Sequence, residues 1–202
     1  PMGALDPDKA PRAASIGRAF PACELTIADP NEEGVGEIRI KGGNVMMGYY
    51  NMPEATAQVI RDGWFYTGDL GYLDDEGYAY ITGRKKNVII TKNGKNVYPE
   101  ELEYNLSNVP IISESMVFAD DTATGTDTLI VAAILPDWEE VEEQLGKDVS
   151  DEELEKILWA EVDKINENQP FFKKIKKVIL RKEDFVKNTS KKIIRYVEEN
   201  KR

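Results

Sequence analysis

The period of the hydrophobic pattern changes near Arg84, and that change limits what the chain can build. Upstream, apolar residues recur at every second position between short clusters of turn formers, as in half-buried strands. Ala22-Cys-Glu-Leu-Thr-Ile27 alternates, turn residues follow at 29–34, and Gly36-Glu-Ile-Arg-Ile-Lys41 alternates again with Ile38 and Ile40 on one face. Pro53 opens a short helical stretch over 53–60, at a position where its missing N–H costs nothing. Residues 68–82 predict a hairpin turning at Asp74-Asp-Glu-Gly77. Residues 1–12 show no periodicity and predict a loop; a chain that opens there without Met is expected to be a piece of something longer. Residues 1–84 thus predict a small β-rich unit.

Downstream, strands and helices mix. Val88-Ile-Ile-Thr91 and Asn96-Val97 flank the loop Lys92-Asn-Gly-Lys95. A helix over 99–107 carries Pro and acids in its first turn, where the macrodipole favours them. Strands are expected over 111–118 and 129–135, helices over 138–145 and 151–168, then a strand over 176–181 and a short helix over 191–199. The 151–168 helix places Leu154, Ile157, Leu158, Glu161 and Ile165 near one face. No repeat or low-complexity tract interrupts the series. The fold class expected is α+β.

Composition removes whole classes of chemistry. The chain has 202 residues and no His, which excludes a Ser-His-Asp triad, His-based zinc hydrolysis and any imidazole base. Its single Cys, Cys23, forms no internal disulfide and no Cys-cluster metal site, and suits a reducing compartment. With 26 Lys and Arg against 37 Asp and Glu, the net charge of −11 argues against nucleic acid as a general partner. No apolar run reaches the roughly 18 residues that cross a bilayer, and no signal-peptide pattern opens the chain, so a soluble cytoplasmic protein is expected. Residues 137–167 hold thirteen acids against three Lys, the mark of a solvated helical surface. Residues 173–195 hold ten bases against Glu183 and Asp184 and lead into Asn188-Thr-Ser190, which suits a phosphate-rich small molecule.

Four stretches concentrate unusual residues. They are Gly36-Glu-Ile-Arg-Ile-Lys-Gly42 with Met47-Gly-Tyr-Tyr50, then Gly63-Trp-Phe-Tyr-Thr-Gly-Asp69. Gly83-Arg-Lys-Lys86 with Asn93-Gly-Lys-Asn-Val-Tyr-Pro-Glu-Glu-Leu-Glu103 is the third, and Lys187-Asn-Thr-Ser-Lys-Lys-Ile-Ile-Arg195 the fourth. Singly, each is an ordinary turn or surface run. In this order and spacing they resemble the AMP-forming acyl-CoA synthetases, the superfamily that includes firefly-type luciferases and peptide-synthetase adenylation domains. The resemblance covers essentially the whole chain. The Lys-Asn-Gly-Lys-Asn-Val-Tyr-Pro version, the ending at 188–195 and the stretch Ile165-Asn-Glu-Asn-Gln-Pro170 look most like long-chain fatty acid ligases.

The resemblance implies a β-rich, barrel-like end of a large domain over 1–85, followed by a complete, small, mobile α+β C-terminal domain over 86–202. It implies that the phosphate loop, the acyl tunnel and a further ATP motif lie upstream in a missing N-terminal part of the same chain. It also implies roles. Asp69 accepts hydrogen bonds from the ribose hydroxyls of ATP, suited as a group that only accepts. Arg84 contacts the ribose, Lys86 is the hinge, and Gly94 lines the pantetheine tunnel of CoA. Lys192 is the catalytic cation, bridging carboxylate and α-phosphate; the family's usual preceding Gly is Lys191 here. Mg²⁺ is held chiefly by phosphate oxygens, with no protein metal site. Gly94 and Lys192 are expected on different faces of the small domain, exchanged by rotation about Lys86.

The activity expected of the parent is ATP-dependent ligation of a long-chain fatty acid to CoA through an acyl adenylate, with this piece inactive alone. An aryl-CoA or acyl carrier protein ligase is the alternative among enzymes. A non-catalytic adenylate-binding module is the alternative outside them. Substrates are small molecules (fatty acid, ATP, CoA), and peripheral membrane contact is left open.

Overall fold

The computed structural model describes the backbone of residues 3–4 together with residues 12–120 and 128–202. Most of the stretch 1–12, expected as a loop, lies outside the described residues. Gly3 and Ala4 depart from that expectation, forming a two-residue strand. The chain divides into two compact units, Pro1–Asn87 and Val88–Arg202, two residues beyond the sequence-based boundary.

Among the described residues the first unit is one sheet with one α-helix. Its strands are β1 (Gly3–Ala4), β2 (Ser15–Ala19), β3 (Cys23–Ala28) and β4 (Gly36–Gly42), then helix α1 (Pro53–Val59), β5 (Ile60–Arg61), β6 (Trp64–Leu73) and β7 (Ala79–Arg84). The order is β1-β2-β7-β6-β4-β3, all neighbours antiparallel, with β5 pairing β6 at its start. Long β6 is central: Phe65 faces Ile40 and Ile60, while Asp69 faces Arg84. The alternation in β4 fixes which face is inside, and Ile38 and Ile40 are buried as expected. Its other face presents Glu37, Arg39 and Lys41, with Arg39 stacked 4.6 Å from the Trp64 ring. The turn after β6 is held by Asp74, whose Oδ1 accepts from the Glu76 and Tyr78 amides.

The second unit begins with the hairpin β8 (Ile89–Ile90) and β9 (Asn96–Val97), followed by α2 (Pro99–Leu106). Strands β10 (Ile112–Asp120) and β11 (Leu129–Pro136), helices α3 (Trp138–Leu145) and α4 (Asp151–Glu167), and strand β12 (Lys177–Leu180) complete it. The sheet order is β10-β11-β12, antiparallel then parallel, so β11 is central. That position explains its almost unbroken apolar run, buried from Ile130 to Leu135. Both later helices start on side-chain caps: Asp137 accepts from Glu139 and Glu140 amides, and Ser150 with Glu153 forms a capping box. Leu154, Leu158 and Val162 of α4 are buried against Leu102, Leu106, Val117 and Ile134. A fully buried Leu or Ile contributes roughly 1.5–3 kcal/mol, against about 0–1 for an exposed ion pair, so this core rather than the charged surface stabilises the unit.

Two expectations need correction. On α4 the buried row is Leu154, Leu158, Val162 and Asn166, while Ile157 and Ile165 are only half-buried and Glu161 is not in the core. Asn166 belongs inside because it exchanges two hydrogen bonds with the Ile175 backbone, 2.9 Å each. The second correction is the C-terminal end. Residues 191–199 are not a helix: Ile193 bridges to Lys187 as in a hairpin, and only Glu198–Lys201 forms a 3-10 turn. The side chain of Asn188, which accepts from the Ser190 and Lys192 amides, fixes the loop and so prevents the helix.

Candidate functional site

In the first unit, the Thr67-Gly68-Asp69 stretch, a bulge of β6 opposite Ile38, and the end of β7 come together. Arg84 Nε lies 2.9 Å from Asp69 Oδ1, and Nη1 donates to the Thr67 carbonyl at 3.3 Å. The Asp69 side chain is 16% exposed and its Arg84 partner 46%. The bulge needs Gly68, whose φ is +73°. Glu37 supports it from β4, with Oε1 accepting from the Gly68 amide at 3.0 Å and Oε2 pairing with Lys85 at 2.8 Å. Thr67 Oγ1 donates to the Ile38 carbonyl at 2.8 Å and accepts from the Asp69 amide at 3.1 Å. Asp69 and Arg84 are therefore neighbours through strand register. Glu37 and Lys85 are residues that sequence reasoning did not single out.

Lys86 follows in a 3-10 turn, Lys85–Asn87, exposed at the division between the units. It forms no ion pair among the described residues.

In the second unit, Gly94 sits in the loop of the β8–β9 hairpin. Its amide donates to the Thr91 carbonyl at 2.8 Å and its φ is +72°, with open space where a Cβ would stand. Conformation, not crowding within the unit, requires glycine here. The Lys92 amide donates to Thr128 Oγ1 at 2.9 Å, which ties the loop to the residue before β11.

Lys192 lies on the loop between Lys187 and Ile193, exposed to solvent. Its amide donates to Asn188 Oδ1 at 3.0 Å and its carbonyl accepts from the Asn188 amide at 2.9 Å. Lys191 holds a left-handed φ of +59°, a conformation in which glycine has no penalty. Two buried side chains support this loop from behind. Asn200 Oδ1 accepts from the Val186 amide at 2.7 Å, and Nδ2 donates to the Val186 and Ile194 carbonyls at 2.9 Å each. Arg181, stacked 4.5 Å from Phe185, donates to the carbonyls of Glu183, Asp184, Glu199 and Arg202.

The Gly94 and Lys192 loops stand at opposite ends of the β10–β11 ladder. Thr128, tied to the first loop, precedes Leu129; Glu114, which pairs with Lys187 at the base of the second, faces Leu135. Six residues of strand separate those ends, about 20 Å at roughly 3.3 Å per residue. Among the described residues no three of His, Cys, Asp or Glu converge to hold a metal, and no helix is long and apolar enough to cross a membrane.

Residues 86–200 match the family model described as the AMP-binding enzyme C-terminal domain. The chain is 43% identical over 131 residues to indoleacetate–CoA ligase of Aromatoleum aromaticum, covering 62% of this chain and 25% of that protein. It is 46% identical over 114 residues to a long-chain-fatty-acid–CoA ligase of Bacillus subtilis, covering 52% and 20%. The chain thus spans about a quarter or less of the curated relatives it matches. Its fold is similar to o-succinylbenzoate CoA synthetase from Bacillus subtilis in complex with the acyl-adenylate intermediate, with a TM-score of 0.71 and 31% identity over 90% of this chain and 34% of that one. ATP-bound MatB from Rhodopseudomonas palustris is similar too, with a TM-score of 0.70 and 31% identity over 93% and 35%. With the family model spanning more than half of its length, the chain belongs to the AMP-forming, adenylate-forming acyl- and aryl-CoA ligase superfamily, as a C-terminal part carrying the AMP-binding enzyme C-terminal domain.

Proposed function

We propose that this chain is the C-terminal part of an ATP-dependent ligase that makes an acyl adenylate and then an acyl-CoA thioester, acting on a long-chain fatty acid. The observation that carries the reading is the placement of Gly94 and Lys192 on loops at opposite ends of one small unit, where a single rotation exchanges them. In this reading Asp69, positioned by Arg84, accepts from the ribose hydroxyls of Mg·ATP. Lys192 neutralises charge between the incoming carboxylate and the α-phosphate; as a cation it transfers no proton, which suits a chain without His. Pyrophosphate leaves, the unit turns about Lys86, and the Gly94 loop guides the thiol of CoA to the acyl carbon as AMP leaves. Mg²⁺ arrives on the phosphates of ATP. The first unit's exposed Met47, Tyr50 and Met52 (102%, 90% and 56%) support its being a piece of a larger domain, since an exposed apolar cluster of this kind marks a contact surface.

An aryl acid is the second reading of the substrate, because indoleacetate and 2-succinylbenzoate ligases stand among the relatives beside the long-chain ones. The test is kinetic. The reading frame extended upstream should exchange pyrophosphate with ATP when given an acid, and this chain alone should not. In that longer enzyme Lys192→Ala should slow acyl-AMP formation about 10²–10³-fold, the scale for one preorganised charge. Thioester formation from premade acyl-AMP should stay near the wild-type rate. Lys86→Pro should do the reverse, since a fixed φ hinders rotation. Equal loss of both half-reactions in Lys192→Ala refutes its role, and preference for aryl over long-chain acids selects the second substrate.

A further inference from the structure

The segment carrying Lys192 runs along the open edge of the β10-β11-β12 sheet, and charged pairs fix it at two points. At the first, Lys187 Nζ lies 2.6 Å from Glu114 Oε2, both side chains 29% exposed. At the second, the Val117 peptide of β10 is held from both sides. Its N–H donates to Glu103 Oε1 at 2.6 Å, its carbonyl accepts from Arg195 Nη1 at 3.1 Å, and Arg195 Nη2 pairs with the other oxygen of Glu103. Among the described strands, β10 has β11 on one side only. The carboxylate and guanidinium therefore take the place of a neighbouring peptide, satisfying edge groups that burial would otherwise leave without partners.

Glu114 and Val117 are three residues apart on one strand, about 10 Å, and the Lys192 loop is suspended between these points. Ile193, on its return stem, packs against the small cluster of Met116, Ala133, Leu135 and Phe185. Glu103 comes from α2, which Tyr98 alone separates from the Gly94 hairpin. The stem of one loop is thus bonded to the helix that follows the other.

We propose that Glu103 and Arg195 are positioning residues for Lys192, holding its loop to the sheet edge so that the ammonium group is presented in one place. The proposal rests on Lys192 being the adenylation cation, yet the clamp has its own test. Backbone ¹⁵N relaxation on the 202-residue chain should give order parameters near the rigid value of about 0.85 at the Lys191 and Lys192 amides. In Arg195→Gln they should fall below about 0.6, while the Thr91, Gly94 and β11 amides stay close to wild type; the melting temperature should fall, because the Val117 carbonyl and the Glu103 carboxylate lose a partner. Arg195→Lys, which keeps the charge but not the fork that reaches both Glu103 and Val117, should restore part of the order. Lys187→Gln, at the more open first point, gives the same reading should Arg195→Gln not fold. Unchanged order at Lys191 and Lys192, or a loss spread evenly over the unit, overturns the clamp. A rigid, clamped loop whose Lys192→Ala variant adenylates normally overturns the functional reading instead and leaves the clamp standing.

Discussion

Asn200→Ala is the sharpest probe of how the second unit holds its C-terminal end. The Asn200 side chain is fully buried and makes three hydrogen bonds, to the Val186 amide and to the carbonyls of Val186 and Ile194. The Val186 carbonyl keeps a second partner, the Ile194 amide at 3.0 Å. The Ile194 carbonyl likewise keeps the Val197 amide at 3.3 Å, so truncation strands one group, the Val186 N–H. At about 1–3 kcal/mol for a buried group left unpaired, the expected loss is about 1–3 kcal/mol, a large share of the 5–15 kcal/mol typical of a domain. Urea unfolding followed by circular dichroism at 222 nm measures it, because α2, α3 and α4 put most of the helix in the second unit. Asn200→Asp should keep the bond from Val186 but lose both donors and place a carboxyl where no water reaches. Its loss should be at least as large at neutral pH and should ease on acidification, as the carboxyl folds protonated. A loss below about 1 kcal/mol for Asn200→Ala would refute the reasoning, since it would mean that the freed Val186 N–H finds a partner at once.

At Lys191, with its φ of +59°, glycine should hold or raise stability by up to about 1 kcal/mol, strain relief being offset partly by unfolded-chain entropy. Lys191→Val should cost about 1–3 kcal/mol, and equal melting curves for the two variants would contradict the assigned backbone. Burial holds the Glu103 carboxyl above the ordinary carboxylate range despite the pull of Arg195. Its protonated form therefore favours the folded state: that contribution is full below the ordinary value and is lost as pH rises through the raised one. Glu103→Gln should remove this segment of the stability-against-pH curve, and an unaltered curve would refute the assignment. Limited trypsin digestion should cut first at Lys85 or Lys86, exposed at the division between the units; a first stable cut within 95–180 would contradict that division.

How much of this was legible in the sequence depended on the range of the interaction involved. Strands β3, β4, β6 and β7, helices α1 to α4 and the β8–β9 hairpin follow from period, proline position and turn residues, all of which act over a few neighbours. The false helix at 191–199 arose from the same source. Ile193, Ile194 and Val197 have helical spacing, but Asn188 bonds its own loop, and Arg181 and Asn200 bind the segment from outside. Val162 and Asn166 were missed on α4 because the sequence stripe was centred on Ile157 and Ile165. Only the packing of α4 onto the sheet, and the bonds of Asn166 to Ile175, rotate the buried face toward them.

The site shows the same division between near and far. Gly94 and Lys192 lie on tight loops and Asp69 at a bulge of β6, features whose chemistry is local, so a reader of the sequence finds them. The groups that hold those loops are distant: Glu37 reaches Gly68 across 31 positions and Glu103 reaches Arg195 across 92. Both lie in stretches that stand out in the sequence, but nothing among their neighbours gives Glu37 or Glu103 a supporting role. Glu37 becomes visible only when β4 and β6 are in register, and Glu103 only when α2 packs beside β10 and the C-terminal segment. That leads to an order of sensitivity: substitution of Lys192 should change chemistry with little effect on folding, because its side chain is exposed, whereas Asp69 is largely covered and Gly94 has a left-handed φ. Substitutions at Glu37, Glu103 and Asn200 should act on the tips through the backbone they hold, so that function is lost in proportion to loop order rather than to the charge removed.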